Sequence, residues 1–552
     1  VKGRGSRSLA GSFGDFTGGG ERKRGFSLFV GGNCAILKKT WKGGLGMARR
    51  CTTETCCLTL PLQLEKWQED RLAKRFEIAG QIYNALARAE LKKLHRLEQT
   101  PEYREIQREL RENGKESKEY KAAGKRRELL KAAGLTEYGF KTDMKAYYKH
   151  FRENIGASVA VHGIASQVWA AFDQKLYKSG RRIHLKRPGE IRSLQGYSDA
   201  KKSGGEEIRF CGTHIEWKKL RLPLKLDPEN AYEAEMLSRW VKYVRILRTP
   251  GKHRDHWYAQ LVLRGRPAVK RDAETGAPRH PVGRGPVGID IGPQTIAYAA
   301  QGEAFLQELA DRVQNIEGEK RRLQRRMDRS RRAMNPGNYA PDGTIRRGVR
   351  LSRNKSGRYR ALQRELAYLQ HRQAVIRKEQ HIALANHLLS LGDCFYVEDM
   401  AWPSLTHRAK ETVISPKTGK YQRKKRFGKS VANKAPAMFL GILQQKCDSL
   451  GLPGVVKVST SVRASQYNHL TDTYQKKPLS QRWNEMPDGR RIQRDLYSAF
   501  LLQHMTPRLD GFDPDGLRRD YEQFTALHEK AIQQLQLAPR TLASMGLRRA
   551  CS

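Results

Sequence analysis

Hydrophobic and polar positions change period several times along this chain. Leu58-Thr59-Leu60-Pro61-Leu62 has the two-residue alternation of a strand. It runs into Leu64, Leu72, Phe76, Ile78, Tyr83 and Leu86, which recur at roughly helical intervals. Polar, highly charged helical sequence continues to about residue 180, interrupted near Gly114, Gly124 and Gly134. Within it Val168-Trp169-Ala170-Ala171-Phe172 reads as a core face. From about 183 to 268 the pattern turns to short, partly alternating runs: Ile208–Phe210, His214–Trp217, Leu220–Leu224, Val241–Ile246 and Trp257–Leu263. These runs predict a small β-barrel, with the Leu58–Leu62 strand completing it and the helical part inserted between.

A Pro- and Gly-containing linker over 266–284 leads to a third pattern. Val287, Ile289 and Ile291 predict a buried strand. Two long basic helical stretches follow, separated by an Arg-rich Pro/Gly/Asn loop over 335–355. The second carries Leu362, Leu366, Leu369, Ile376 and Leu388, with Arg377 and His381 one turn apart. Asp393–Met400 is a second apolar strand ending in acids, and Val455–Val458 another. Amphipathic helices are predicted over Ala437–Leu450 and from Arg494, and the tail from Pro514 reads as helical.

Charge narrows the choice of partner. Lys and Arg number 105 against 57 Asp and Glu, a formal net charge of +48 over 552 residues. Such an excess repels itself unless a polyanion neutralises it, which points to nucleic acid. A basic membrane-surface protein fits poorly, since no apolar run is long enough to span a bilayer and no signal-peptide pattern is present. The eight cysteines form neither a CxxC pair nor a disulfide-scaffold spacing, as suits a reducing cytosol. Residues 1–46 are rich in Gly, Ser and bases without sustained period and read as a flexible leader. Val1 is not Met and Met47 is the first methionine, so this leader need not be native.

The densest positive charge, Arg321, Arg322, Arg325, Arg326, Arg329, Arg331 and Arg332, covers nearly every side of a helix and reads as a phosphate-contacting surface. Lys424, Lys425 and Arg426 in a basic loop, and Arg490 and Arg491 further on, are assigned the same role. Aromatic residues interleave with bases in Tyr147-Tyr148-Lys149-His150-Phe151-Arg152, either packing between helices or stacking on exposed bases.

Candidate chemistry lies in three acids about a hundred residues apart. Asp290 stands in the strand Gly288-Ile289-Asp290-Ile291-Gly292, where the glycines leave room for something bulky to approach the backbone. Glu398 ends a second strand and Asp495 opens a helix. An unpaired buried carboxylate is costly, so Asp290 needs a compensating charge: a metal ion, a neighbouring Arg, or a strand-end turn. Phosphodiester hydrolysis needs an activated water and charge stabilised on the leaving oxygen. Two magnesium ions supply both, and such hard cations take carboxylate ligands. Asp399 is a neighbour with either a supporting or a capping role.

These residues carry a resemblance. Gly288-Ile289-Asp290-Ile291-Gly292, Val397-Glu398-Asp399-Met400 and Arg494-Asp495-Leu496 resemble the first, second and third RuvC motifs of the TnpB proteins and the compact type V CRISPR effectors related to them. Asn433-Lys434-Ala435-Pro436 before a helix and Ala464-Ser465-Gln466 after a strand resemble that family's spacing. The likeness covers about 286–503 by motif and 58–268 by domain order. It implies an α/β protein with added α and β parts: an RNase H-like RuvC domain (269–463 and 492–552), a β-barrel wedge domain (47–67 and 183–268) and an inserted helical recognition lobe (68–182). The activity implied is RNA-guided cleavage of DNA, with Asp290, Glu398 and Asp495 as catalytic residues holding two Mg2+ ions. The implied partners are a guide RNA and double-stranded target DNA with a short flanking motif. A cytoplasmic, nucleoid-associated location follows.

Two features depart from the family. Residues 464–491, where members commonly carry the four cysteines of a zinc ribbon, contain none, so zinc is not expected there. This degenerate ribbon retains a strand-loading role through Arg482, Arg490 and Arg491, beside Arg494. Tyr497 stands where the family tends to have Asn. The alternatives are a guided DNA-binding protein with weak or no cleavage, an RNase H-like transposase, and a structural RNA-binding protein.

Overall fold

The structure, a computed structural model, describes residues 54–112, 117–178, 180, 182–197, 208–313, 315–408, 411–414, 419, 421, 427–478, 480–538 and 542–547. The leader expected over 1–46 and the bases Lys424, Lys425 and Arg426 lie outside the described residues. The chain divides into two compact units that part between Ala268 and Val269.

In the N-terminal unit, β1 (Thr55–Pro61) pairs antiparallel with a strand some two hundred residues later, β7 (His256–Arg264), with Leu58 opposite Leu261. The sheet continues through β6 (Val241–Thr249) to β2 (Ser193–Tyr197), a strand the sequence pattern did not reveal. A second sheet is formed by β3 (Ile208–Phe210), β4 (His214–Trp217) and β5 (Leu220–Pro223). An isolated bridge, Leu62–Leu224, links the end of β1 to the end of β5. Among the described residues these strands form two sheets, and no continuous ladder runs around them as a closed barrel would require.

The helices inserted after β1 include α1 (Lys66–Glu98), α2 (Pro101–Glu112), α3 (Ser117–Ala132), α4 (Glu137–Tyr148) and α5 (Ala165–Tyr177). Their apolar stripe, Leu72, Phe76, Ile82, Leu86, Phe140, Val168 and Phe172, shares one core with the strands. Phe76 meets Trp257 edge to face at 5.1 Å. Arg75 is buried beneath this core and donates to the Trp217 carbonyl at 2.8 Å, with its guanidinium 4.6 Å from the Trp217 ring. Tyr147, Tyr148 and Phe151 are half-buried against the same core. Packing therefore accounts for these interleaved aromatics.

The C-terminal unit is organised by a five-stranded sheet in the order β10-β9-β8-β11-β12. Its strands are β8 (Pro286–Ile291), β9 (Thr295–Ala299), β10 (Ala304–Glu308), β11 (Cys394–Glu398) and β12 (Gly454–Val458). The first three form an antiparallel meander, while β8, β11 and β12 run parallel. Parallel neighbours need long crossovers. The β8-to-β11 connection contains α6 (Glu317–Met334) and α7 (Gly357–Leu391), and α8 (Pro436–Leu450) lies between β11 and β12.

Each face of the sheet has its own core. Val287, Ile289, Ile291, Phe395 and Val397 pack with residues of α7 and α8. Ala297, Ala299 and Leu306 pack with α9 (Arg494–Gln503) and α10 (Pro514–Leu537). Successive strand residues point to opposite faces. Gly288 and Asp290 therefore face α9, as do Tyr396 and Glu398 on the neighbouring strand. Among the described residues, no helix is long and apolar enough to cross a membrane.

Candidate functional site

The register of two parallel strands sets two of the acids abreast. Tyr396 pairs with Gly288 and Val397 with Ile289, so one further step carries Glu398 alongside Asp290 at the carboxyl ends of both strands. The third acid arrives on α9. A Cβ on Gly288 would lie 1.9 Å from the Ala499 carbonyl oxygen and 2.3 Å from the Gln503 nitrogen, so this helix backbone rests directly on the strand. Asp495 sits one turn before Ala499, about 6 Å along the helix, and Asp290 lies two residues beyond Gly288, about 7 Å along the strand. Close seating at Gly288 thus brings Asp495 to Asp290. Placing the acid in the first turn of α9 also suits the helix dipole.

The charges of the trio act on one another. Burial, followed by the charges of Asp495 and Glu398, holds the Asp290 carboxyl well above the usual carboxylate range; Arg494 and the Ser498 hydroxyl oppose this less strongly. Glu398 is also raised by burial, countered by a hydrogen bond from the Ala464 backbone amide. Arg494 Nε and Nη2 each donate to Asp495 Oδ1 at 3.3 Å, and Arg482 Nη1 lies 4.0 Å from its Oδ2. In this arrangement the side chains are not drawn into a ligand cluster: among the described residues, no three His, Cys, Asp or Glu groups are placed to hold a metal ion. Asp399 stands apart in an exposed ion pair with Lys457 at 2.7 Å.

Two supporting features were not readable from the sequence. Arg463 adopts a left-handed backbone, φ 53°, immediately before the amide that reaches Glu398. Lys434, in the Asn433–Pro436 motif, is buried in an ion pair with Glu308 at 2.6 Å and donates to the Ala310 carbonyl at 2.8 Å. Ala435 follows with φ 49° before Pro436 opens α8.

The cysteine-free segment forms two short ribbons, β13 (Tyr467–Asn468) with β14 (Thr473–Tyr474) and β15 (Trp483–Glu485) with β16 (Arg491–Gln493). His469 is buried, and desolvation lowers its pKa to about 4. Tyr497 is buried in the core with its hydroxyl against His469. It lies about 200° around α9 from Asp495, so this departure from the family pattern faces away from the acids.

The basic residues fall into two groups. On α6, Leu323 and Met327 pack inward against Leu362 and Leu366, leaving Arg321, Arg322, Arg325 and Arg329 exposed and Arg326 half-buried. Arg331 and Arg332 both pair with Asp328. Arg332 also donates to the Gly343 carbonyl at 3.0 Å and stacks over Tyr339, anchoring the following loop. Arg490 makes two 2.8 Å bonds to Glu522, and Arg491 pairs with Glu485 at 3.0 Å. Exchanging Arg321, Arg322, Arg325 and Arg329 for Gln should therefore weaken RNA binding and flatten its log–log salt dependence by up to about 3. Filter binding between low and moderate salt measures this, and an unchanged slope would remove α6 from the interface.

No family model matches this sequence, and no curated protein is similar to it. Among solved structures, one cryo-electron microscopy structure of a Cas12f1–sgRNA–target DNA complex aligns over 83% of this chain and 99% of its own, at 11% identity and a TM-score of 0.32. A CRISPR–Cas12f ternary complex aligns over 80% and 82%, at 12% identity and a TM-score of 0.24. Both likenesses are distant.

Proposed function

We propose that this chain is an RNA-guided DNA endonuclease of the compact type V effector and TnpB kind, with Asp290, Glu398 and Asp495 as its catalytic acids. The observation that carries this reading is the convergence of the three acids: the β8–β11 register sets Glu398 abreast of Asp290, and the seating of α9 on Gly288 brings Asp495, about two hundred residues further along the chain than Asp290, to the same end of the sheet. The order β10-β9-β8-β11-β12, with an antiparallel meander beside parallel strands, supports an RNase H-like RuvC assignment. The net charge of +48 supports a guide RNA and target DNA as partners.

The donor set fits magnesium. It is all carboxylate and it repels itself; the nearest bases, Arg494 and Arg482, make their ion pairs with Asp495, and Arg494 offsets only part of the repulsion at Asp290. Two bound magnesium ions would supply an activated water and charge balance at the leaving oxygen. Asp290, Glu398 and Asp495 would hold them. Ala464 holds the Glu398 carboxylate by its amide. Arg494 and Arg482 hold Asp495 and provide positive charge beside an incoming phosphate.

A second reading, a guided binder that cuts weakly or not at all, draws on the same arginines, because their pairing with Asp495 competes with a metal. The deciding experiment is to purify the chain with its RNA, sequence that RNA, and offer matching duplex DNA with Mg2+ or EDTA. Cutting with Mg2+ alone is expected. Tight target binding without cutting would establish the second reading, and absence of specific RNA would refute both.

A further inference from the structure

We propose that His469 is a positioning residue: through the Tyr497 hydroxyl it fastens the cysteine-free segment 467–493 to the helix that carries Asp495. This rests on the nuclease reading for its consequence and on the geometry for its existence.

The Tyr497 hydroxyl accepts from the His469 backbone amide at 3.1 Å and lies 2.6 Å from the Nδ1 of the same residue. The hydroxyl thus meets both the backbone and the ring of one residue, accepting from the amide and sharing a proton with Nδ1. Both side chains are buried, the imidazole at 5% exposure and the phenol at 1%. The imidazole packs edge-on against Tyr521, with ring centroids 4.6 Å apart, and among the described residues Nε2 has no hydrogen-bond partner.

That hydroxyl lies on the far side of α9 from Gly288. The helix is therefore held between β8 on one side and the ribbon segment on the other. The segment in turn delivers groups to the acid end of the helix. Arg482 accepts from the Arg494 amide at 2.9 Å and brings Nη1 to 4.0 Å from Asp495, while the Gln481 carbonyl accepts from Arg494 Nη1 at 3.1 Å. The fastening thus fixes a guanidinium beside the proposed scissile phosphate.

The test uses the full chain with Tyr497→Phe, which keeps the ring and removes both bonds, His469→Phe, which removes the Nδ1 contact and leaves the backbone amide bond, and His469→Asn, which keeps a polar atom at the Nδ1 position. Amide hydrogen exchange should quicken about tenfold over 467–493 in the two Phe variants while β8, β11 and β12 keep their protection, and the Asn variant should recover to within about threefold. Unchanged exchange in the segment, or equal loss across the sheet, would overturn the fastening. In parallel, single-turnover cutting of guide-matched DNA should fall about tenfold with guide and target affinities unaltered. Full cutting from a loosened segment would overturn the positioning role. If the unaltered chain fails to cut at all, the nuclease reading falls, and the exchange result still decides whether the fastening exists.

Discussion

Asp290→Asn should abolish guided DNA cutting while leaving the protein folded and loaded with RNA. The expected loss is on the order of a thousandfold in single-turnover rate, about 4 kcal/mol of transition-state stabilisation. The direction follows from the electrostatics. Burial and two neighbouring carboxylates hold the Asp290 carboxyl well above its ordinary range, so its negative charge costs the fold stability rather than supplying it. Asn keeps the size of Asp and carries no charge, so the substitution relieves repulsion rather than removing a charge on which the fold depends. What it removes is the ability to become an anionic ligand. Glu398→Gln should behave similarly, since burial raises that carboxyl too. Melting temperatures of both variants should match or exceed that of the parent, with RNA affinity unchanged. Cutting by Asp290→Asn within tenfold of the parent would remove the acid trio from the mechanism.

How much of this could be read from the sequence divides along physical lines. Elements specified by their own side chains were legible: Ile208–Phe210 and His214–Trp217 coincide with β3 and β4, and the alternation of Val287, Ile289 and Ile291 already implied that Asp290 faces the other way. Elements specified by distant partners were not. β2 and the meander strands β9 and β10 gave no expectation, because their periodicity is weak and pairing supplies what propensity does not. A small β-barrel was expected from the run of short strands, and the described strands pair as two sheets linked by the Leu62–Leu224 bridge. At the candidate site the acids were visible as residue types at strand and helix ends. Their supports were not: the left-handed Arg463, the buried Lys434–Glu308 pair and the Tyr497 hydroxyl are consequences of tertiary packing. The arginine run was legible as charge, but only the fold separates the outward Arg321, Arg322, Arg325 and Arg329 from Arg332, whose bonds are internal.

The two glycines flanking Asp290 make the sharpest structural prediction, because they look alike in sequence and differ in the fold. A methyl group on Gly288 would fall 1.9 Å from the Ala499 carbonyl oxygen, 2.3 Å from the Gln503 nitrogen and 2.9 Å from the Leu502 carbonyl carbon. All three are backbone atoms of α9, so no side chain can turn aside to relieve the overlap. The whole helix must lift. On Gly292 the same group would lie 3.4 Å from Thr295 Oγ1, an ordinary contact. Gly288→Ala should therefore destabilise the C-terminal unit by about 3 kcal/mol, the upper range for overpacking a core. At 2–4 °C per kcal/mol for a unit of this size, that lowers its melting temperature by roughly 6–12 °C. Gly292→Ala should melt within about 2 °C of the parent on the same scale. A lifted α9 also carries Asp495 away from Asp290, so cutting by Gly288→Ala should fall steeply even at temperatures where the protein remains folded. A Gly288→Ala protein that melts with the parent would mean that the helix does not rest on this strand. The convergence of the three acids would then lose its physical cause.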